Sequence, residues 1–260
     1  MQSELHVHFH PDERPFVDRV VDWAERALGT HELIRTGFLD PRQAAIANSI
    51  ANRYPDLALR FEGGYDDAER RRALLAPDYR PLEYEEPGIA VLEVQAPGGE
   101  RLELDHGDYM GAILGLGIKR DRIGDIHVHE AGCHVLVTDE IADYVNLHLR
   151  QVHRSAVLTE LLPLEQLRAV KTQLEEMSFT VASLRLDGIC SDVYRISRAK
   201  IVEPIRAGRC RVNWKVTEDP SKPLNAGDVV SLQGLGRFKL LAVEGETKKG
   251  RLRVKAGKFI

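Results

Sequence analysis

The sequence predicts an α+β protein built in three parts. Three observations lead there: helical apolar spacing with caps at the start, a β-α-β-β-α-β rhythm in the middle, and an abrupt change of charge near residue 182. The parts are a mostly helical segment over 1–80, a central split βαβ domain over 81–160, and a small α+β module over 182–260 that ends in a basic strand. Residues 161–181 read as a linker containing a helix or strand, and no internal repeat or low-complexity tract occurs.

In the first part, "DERPFVDRVVDWAERALG" repeats Phe16, Val17, Val20, Val21, Ala24, Ala27 and Leu28 at helical spacing, and Gly29 ends the run. In "LDPRQAAIANSIANRY", Asp40 is placed to cap a helix with Pro41 at its first position. "LALRFEGGYDDAERRRALLAP" reads as a short strand, a turn at Gly63 and Gly64, and a basic helix closed by Pro77. In "HVHFH", His6, His8 and His10 alternate with Val7 and Phe9, which makes them the wet side of an extended stretch.

In the central part, strands "IAVLEVQA" and "RLELD" flank a turn at Pro97-Gly98-Gly99, and Asp105 caps a helix through "GDYMGAILGLG". Strands "DIHVHE" and "CHVLVTD" meet at Ala131-Gly132, followed by a helix "DEIADYVNLHL" and a strand near "RSAVLTELL". Apart from the extra hairpin, this is the order of ferredoxin-like and RNA-recognition domains. The third strand, "CHVLVT", lacks the interleaved aromatics that stack bases on an RNA-recognition sheet, so no such stacking is expected.

The stretch "GAILGLGIKRDRIGDIHVHEAGCH" offers two sites that do not survive inspection. Gly115-x-Gly117 is followed by Arg120 where a dinucleotide loop needs its third glycine. Those glycines also close a helix, and a helix C-terminus has the wrong dipole for phosphate. His127 and His129 alternate with Ile126 and Val128, so both read as solvent-facing, while Cys133 and His134 point to opposite faces. At most three of these side chains converge, one short of a structural zinc site. The sequence therefore implies no metal, no cofactor and no catalytic residue, and no nucleophile elbow, HExxH or kinase pattern occurs.

Other features bound the setting. Cys133, Cys190 and Cys210 form no CxxC pair and no even framework. No apolar run is long enough for a membrane span, and "MQSELHVHFHPDERPF" is no secretory signal. A reducing cytoplasm is expected.

The net charge of −4 hides its distribution: residues 182–260 carry 17 Lys+Arg against 8 Asp+Glu, while residues 1–181 carry 19 against 32. A polyanion partner for the basic part follows. There, Asp187 reads as the cap of a short helix, and Ser197 as the cap of a second one that buries Ala199, Ile201, Val202 and Ile205. Arg198, Lys200 and Arg206 remain exposed on it, Pro204 shortens it, and Gly208 closes it. "RCRVNW" then alternates Arg209 and Arg211 with Cys210 and Val212. Arginines at a helix start and on the next strand suit the phosphates of folded RNA. In the tail "TKKGRLRVKAGKFI", Leu252 and Val254 alternate with charge as in a half-buried strand.

Asp187, Ser197-Arg198, Gly208, Val212-Asn213, Pro220-Ser221 and Gly227-Asp228 resemble the RNA-binding domain named after small-subunit ribosomal protein S-four, the alpha-L motif. That family usually has Gly after Val-Asn, whereas this chain has Trp214. With "GRFKLL", "TKKGRLRVK", "FLDPRQ", "FEGGYDDAERRRAL", "GAILGLGIKRDRIGDI" and "TDEIADYV", nearly the whole chain resembles the YlmH family of bacterial RNA-binding proteins. The resemblance implies a non-catalytic protein bound to structured rRNA and tRNA on the large ribosomal subunit in quality control of stalled translation. The family is also connected with cell division, so the acidic part is expected to meet a division or quality-control protein. An RNA-modifying enzyme and a division adaptor are the competing classes. By position, RNA contact falls to Arg195, Ser197, Arg198, Lys200, Arg206, Arg209, Arg211, Asn213 and Lys215, with Arg237 and Lys239 of "GRFKLL". Lys119, Arg120, Arg122, Lys248 and Lys249 are secondary candidates. Asn213 is as readily a turn residue, and Trp214 reads as packing rather than stacking.

Overall fold

The structure is a computed structural model that describes residues 6–171 and 173–259, and the chain divides between Val170 and Lys171 into two units. In the first, helix α1 (Arg14–Thr30) buries Phe16, Val17, Val20, Val21, Ala24 and Ala27, the stripe legible in the sequence. After strand β1 (Ile34–Leu39), helix α2 (Pro41–Ala51) starts in a capping box. Asp40 accepts from the Gln43 amide at 2.8 Å, and the Gln43 side chain accepts from the Asp40 amide at 3.0 Å. Both helices share a core with the antiparallel sheet β1-β3-β2, in which β2 is Leu57–Glu62 and β3 is Arg71–Pro77.

The first part is therefore not mostly helical, since the expected basic helix is β3, the central strand. Ala73 and Leu75 join the core under the helices, and Leu74 and Ala76 lie on the other face with Leu82. A strand buried on both faces carries a continuous apolar run that periodicity cannot separate from a buried helix. The arginines at its start are consumed by structure. Arg70 donates to the carbonyls of Phe38 and Ile123, and Arg71 lies over the Phe61 ring. Arg72, 0% exposed, donates to the carbonyls of Thr36 and Gly88 and, at 2.8 Å, to Glu140. The N-terminal histidines follow no strand either. His6 lies 2.7 Å from Asp18, and His10 caps the 3-10 turn Pro11–Glu13.

The central elements are β4 (Ile89–Gln95), α3 (His106–Gly115), β5 (Ile123–His129), β6 (Gly132–Thr138), α4 (Asp139–His148), a small hairpin of β7 (Gln151–Val152) and β8 (Ser155–Ala156), and β9 (Leu158–Leu162). Sheet order β5-β6-β4-β9, with every neighbour antiparallel, matches the split βαβ reading. "RLELD" forms no strand, because β6 and β9 already occupy both edges of β4. Helices α3 and α4 cover one face through Tyr109, Ile113, Ala142 and Val145. On the opposite face, Val91 and Leu136 meet Phe38, Leu164 and Leu167. Gly124 permits this approach, since a Cβ there would stand 2.7 Å from the Phe38 ring.

That second face is dry, which corrects the reading of its histidines as solvent-facing. His127 is 4% exposed and His134 1%. Their Nδ1 atoms accept from the amides of Val170 and Arg168, both at 3.1 Å. The segment after β9, read from the sequence as linker, folds back over them.

The second unit is a six-stranded antiparallel sheet with two helices. In chain order it holds β10 (Leu174–Val181), α5 (Leu186–Tyr194), α6 (Arg198–Arg206), β11 (Cys210–Val212), β12 (Lys215–Val216), β13 (Val229–Leu232), β14 (Gly236–Glu246) and β15 (Leu252–Phe259). Sheet order is β10-β15-β14-β13-β11-β12. Strand β10, from the stretch read as linker, pairs along its full length with β15. Helix α6 buries Ile201 and Ile205, half-buries Val202 and leaves Ala199 exposed, contrary to expectation. Pro204 sits in its last turn, and the helix stops two residues later.

Two outcomes are expected. Replacing Arg72 by Ala removes the donor to the buried Thr36 carbonyl and to Glu140 and should lower stability by roughly 3 kcal/mol in urea unfolding. Burial lowers the pKa of His127 and His134 from the ordinary histidine value, so both are neutral when folded and bind protons more readily when unfolded. The stability they contribute is lost as pH falls below about 6.5. Corrected for intrinsic rates, the Arg168 and Val170 amides should therefore exchange hydrogen faster at about pH 5.5 than at neutral pH, since protonated rings cannot accept at Nδ1.

Candidate nucleic-acid interface

The basic module is organised by Asp187. It does not cap α5, as the sequence suggested, but lies inside the first turn, 3% exposed. Its carboxylate accepts from Arg185 at 3.2 and 3.0 Å and from Arg198 Nη2 at 2.8 and 2.9 Å. Burial alone would raise its pKa, but the hydrogen bonds and charges of both guanidinium groups override this and hold it below the ordinary aspartate value. The Arg198 side chain remains 54% exposed, so one edge is held while the rest meets solvent. Arg185 belongs to this cluster and was missed. Its signal was local, a cation two residues before the buried aspartate in "LRLDG".

The expected contact residues fall into two groups. Arg195 is the left-handed C-cap of α5, with φ 53, and is exposed. Ser197 starts α6 with an extended backbone and an exposed hydroxyl that makes no capping bond. Lys200, Arg206 and Arg209 are exposed, the last following the left-handed Gly208. With Arg185 and Arg198, residues Arg195, Ser197, Lys200 and Arg206 lie on or beside the two helices.

The second group lies on the sheet. Arg211 registers with Ser231, and Ser231 with Arg237, so these three form one row across β11, β13 and β14. Their neighbours Cys210, Val212, Val230, Leu232, Phe238 and Leu240 are buried under the helices, which puts the row on the opposite, outer face. Lys239, half-buried, alternates to that face too. Arg237 lies over the Phe259 ring, 4.6 Å from its centroid. Lys215 is half-buried on β12, while Lys248 and Lys249 are exposed in the β14–β15 turn. Asn213 is engaged by structure: its Nδ2 donates to Asp228 at 2.8 Å and its Oδ1 accepts from the Val229 amide at 2.9 Å.

Of the secondary candidates in the first unit, Lys119 is exposed. Arg120 donates to the Ile123 carbonyl at 2.5 Å, and burial together with nearby Arg70 lowers its pKa to about 10. Arg122 lies 3.6 Å from Glu140. Strand β5, which follows, has a structural task. Asp125 accepts from Tyr65 Oη at 3.0 Å and from the amides of Glu69 and Arg70 at 2.8 and 3.2 Å, joining the two distinctive segments "FEGGYDDAERRRAL" and "GAILGLGIKRDRIGDI". Gly117, at φ 82, follows the end of α3 as expected. Among the described residues, no group of three or more His, Cys, Asp or Glu is arranged to hold a metal ion. The three cysteines are free and buried, and no described helix is long and apolar enough to cross a membrane.

These features define a modular α+β protein whose excess positive charge sits in its last unit. Residues 12–80 match the family model described as "YlmH, N-terminal", and residues 83–166 match "Putative RNA-binding domain in YlmH". The chain is 37% identical over 252 residues, 97% of each chain, to "Ribosome-associated protein quality control protein P2" of Bacillus subtilis (strain 168). Among solved structures it is similar to "Cell division protein ylmH from Streptococcus pneumoniae", with a TM-score of 0.54 and 26% identity, over 62% of this chain and 97% of that one. The chain belongs to the YlmH family, as the resemblance in its residues implied.

Replacing Asp187 by Asn should lower stability by about 2 kcal/mol near neutral pH, because the buried charge that holds both guanidinium groups is gone. Since the Asp187 pKa is depressed in the folded state, its contribution is complete above about pH 4 and lost as pH falls below. Urea unfolding across acid pH should therefore show a shallower acid limb for the variant.

Proposed function

We propose that this chain is a ribosome-associated RNA-binding protein that docks on structured rRNA or tRNA through its second unit, an S-four-type module. One observation carries the reading. Arg195, Lys200, Arg206, Arg209 and Arg211 are exposed, and among the described residues no ion pair or hydrogen bond engages their side chains. Unpaired exposed cations on a rigid helix-strand frame suit phosphate oxygens, and their contacts position RNA without reading its sequence. The relatives' names support the same direction, ribosome association for one and an RNA-binding domain in the family model. The large ribosomal subunit and quality control of stalled translation are the setting we assign, in the cytoplasm, and the role is binding without catalysis.

The central domain is a poor candidate for base stacking despite its RNA-recognition-like order, because its free sheet face is buried under Phe38 and the segment after β9. A second reading, an adaptor for division proteins, is favoured by the acidic balance of residues 1–181 and by the name of the pneumococcal relative.

Changing Arg206, Arg209 and Arg211 together to Glu should abolish co-sedimentation with ribosomal subunits and leave thermal unfolding unchanged. For the native chain, log affinity should fall linearly with log salt, with a slope near 0.9 per phosphate contact. Salt-independent binding, or a triple variant that still sediments, would remove the assignment to this surface. A reproducible modified nucleoside after incubation with RNA would overturn the non-catalytic role.

A further inference from the structure

Asn213 and Trp214 form the two-residue turn between β11 and β12, and both have positive φ, 50 and 63. That is the backbone pattern of a type I′ hairpin turn, for which Asn-Gly is the favoured pair. Asn213 fits and carries the tethering: its amide donates to the Val229 carbonyl at 2.8 Å, and its side chain holds Asp228 and the Val229 amide. Trp214 occupies the position where glycine is free of strain, and a bulky side chain at positive φ is an outlier. The turn does not need an indole.

The hydrophobic core does not account for it either. Tyr194 and Leu235 pack against the core of this unit, whereas Trp214 is half-buried and is not among the side chains packed there. Cations flank it in sequence, Arg209 and Arg211 before the turn and Lys215 after it, while Asp228 is held by Asn213. β12 is the edge strand of the sheet, so the hairpin has a neighbour on one side only.

We infer that Trp214 is a stacking platform for an unpaired nucleobase, so that the RNA this module takes is a stem-loop or bulged helix rather than a plain duplex. The inference rests on the RNA-binding reading above. Arg209 and Arg211, before the turn, are the cations that would hold the backbone beside the stacked base, and the ring takes an aromatic face that duplex RNA does not offer away from its ends. A strained residue retained beside a charged surface is the kind of outlier that points to function.

The test uses the full chain and two synthetic RNAs sharing one stem, a stem-loop and a blunt duplex. Trp214→Gly suits the turn, and circular dichroism and thermal unfolding check that it remains folded. It should weaken stem-loop binding by at least about tenfold and duplex binding by little, while Trp214→Phe stays close to the native affinity. In a Trp23→Phe background, where Trp214 is the remaining tryptophan of the two, stem-loop RNA should quench its fluorescence and duplex RNA should not. Equal binding of both RNAs by native and Gly variants would overturn the inference, as would an equal loss on both RNAs or a Phe variant as weak as Gly. Should the Gly variant misfold, the Phe variant and the quenching decide alone. A native chain that binds neither RNA would instead overturn the RNA-binding reading itself.

Discussion

A buried carboxylate held between two guanidinium groups fixes the geometry on which the basic module depends. Around Asp187 three segments converge. The Leu186 and Asp187 amides donate to the carbonyls of Lys222 and Pro220, both at 2.9 Å, and Arg185 bridges to Pro223. Arg198 brings the first turn of α6 to the same point. A lone buried carboxylate would be expensive, and the two arginines make it tolerable. In return it aligns α5 and α6 and holds Arg185 and Arg198 with part of each side chain in solvent, so that less rotamer freedom remains to be lost on binding.

The first unit illustrates how far topology and use can separate. Its sheet has the strand order of RNA-recognition domains, yet the face that stacks bases in those domains is closed here. Phe38 presses onto Gly124, and His127 and His134 accept backbone amides from the returning chain. Strand order is set by connection rules, whereas function is set by what the exposed face presents. Ligand contact by residues 83–166 would need a surface other than this face.

What the sequence revealed depended on whether the information was local. The stripe of α1, the N-caps Asp40 and Asp105, the end of α3 at Gly117 and the alternation around Arg211 all arise within a few residues, and all were legible. β3 was misread as a helix because its partners β1 and β2 bury both of its faces, and those partners lie elsewhere in the chain. The histidines were misread for the same reason, since their cover comes from residues some forty positions away or closer, as for Val170 over His127. At the candidate interface, helix α6 and strand β11 were legible as elements from their apolar spacing and alternation. The split of the cations between a helical side and an outer sheet face was not, because it follows from register across β11, β13 and β14.

Register and ion pairing also revise what the charge count means. Arg70, Arg71 and Arg72 hold the first unit together, Arg120 donates to a carbonyl, and Arg122 faces Glu140. In the second unit, Lys255 pairs with Glu176 at 2.6 Å, Arg251 donates to Thr180, and Arg237 stacks on Phe259. A guanidinium already satisfied by a carboxylate or carbonyl offers less to a phosphate than one that meets only water. The useful positive charge is thus narrower than the composition suggests. It comprises Arg195, Lys200 and Arg206 on or beside α6, and Arg209 and Arg211 before the turn that carries Trp214. On the RNA-binding reading proposed above, it is these unengaged cations, more than the net charge, that are free to meet phosphate.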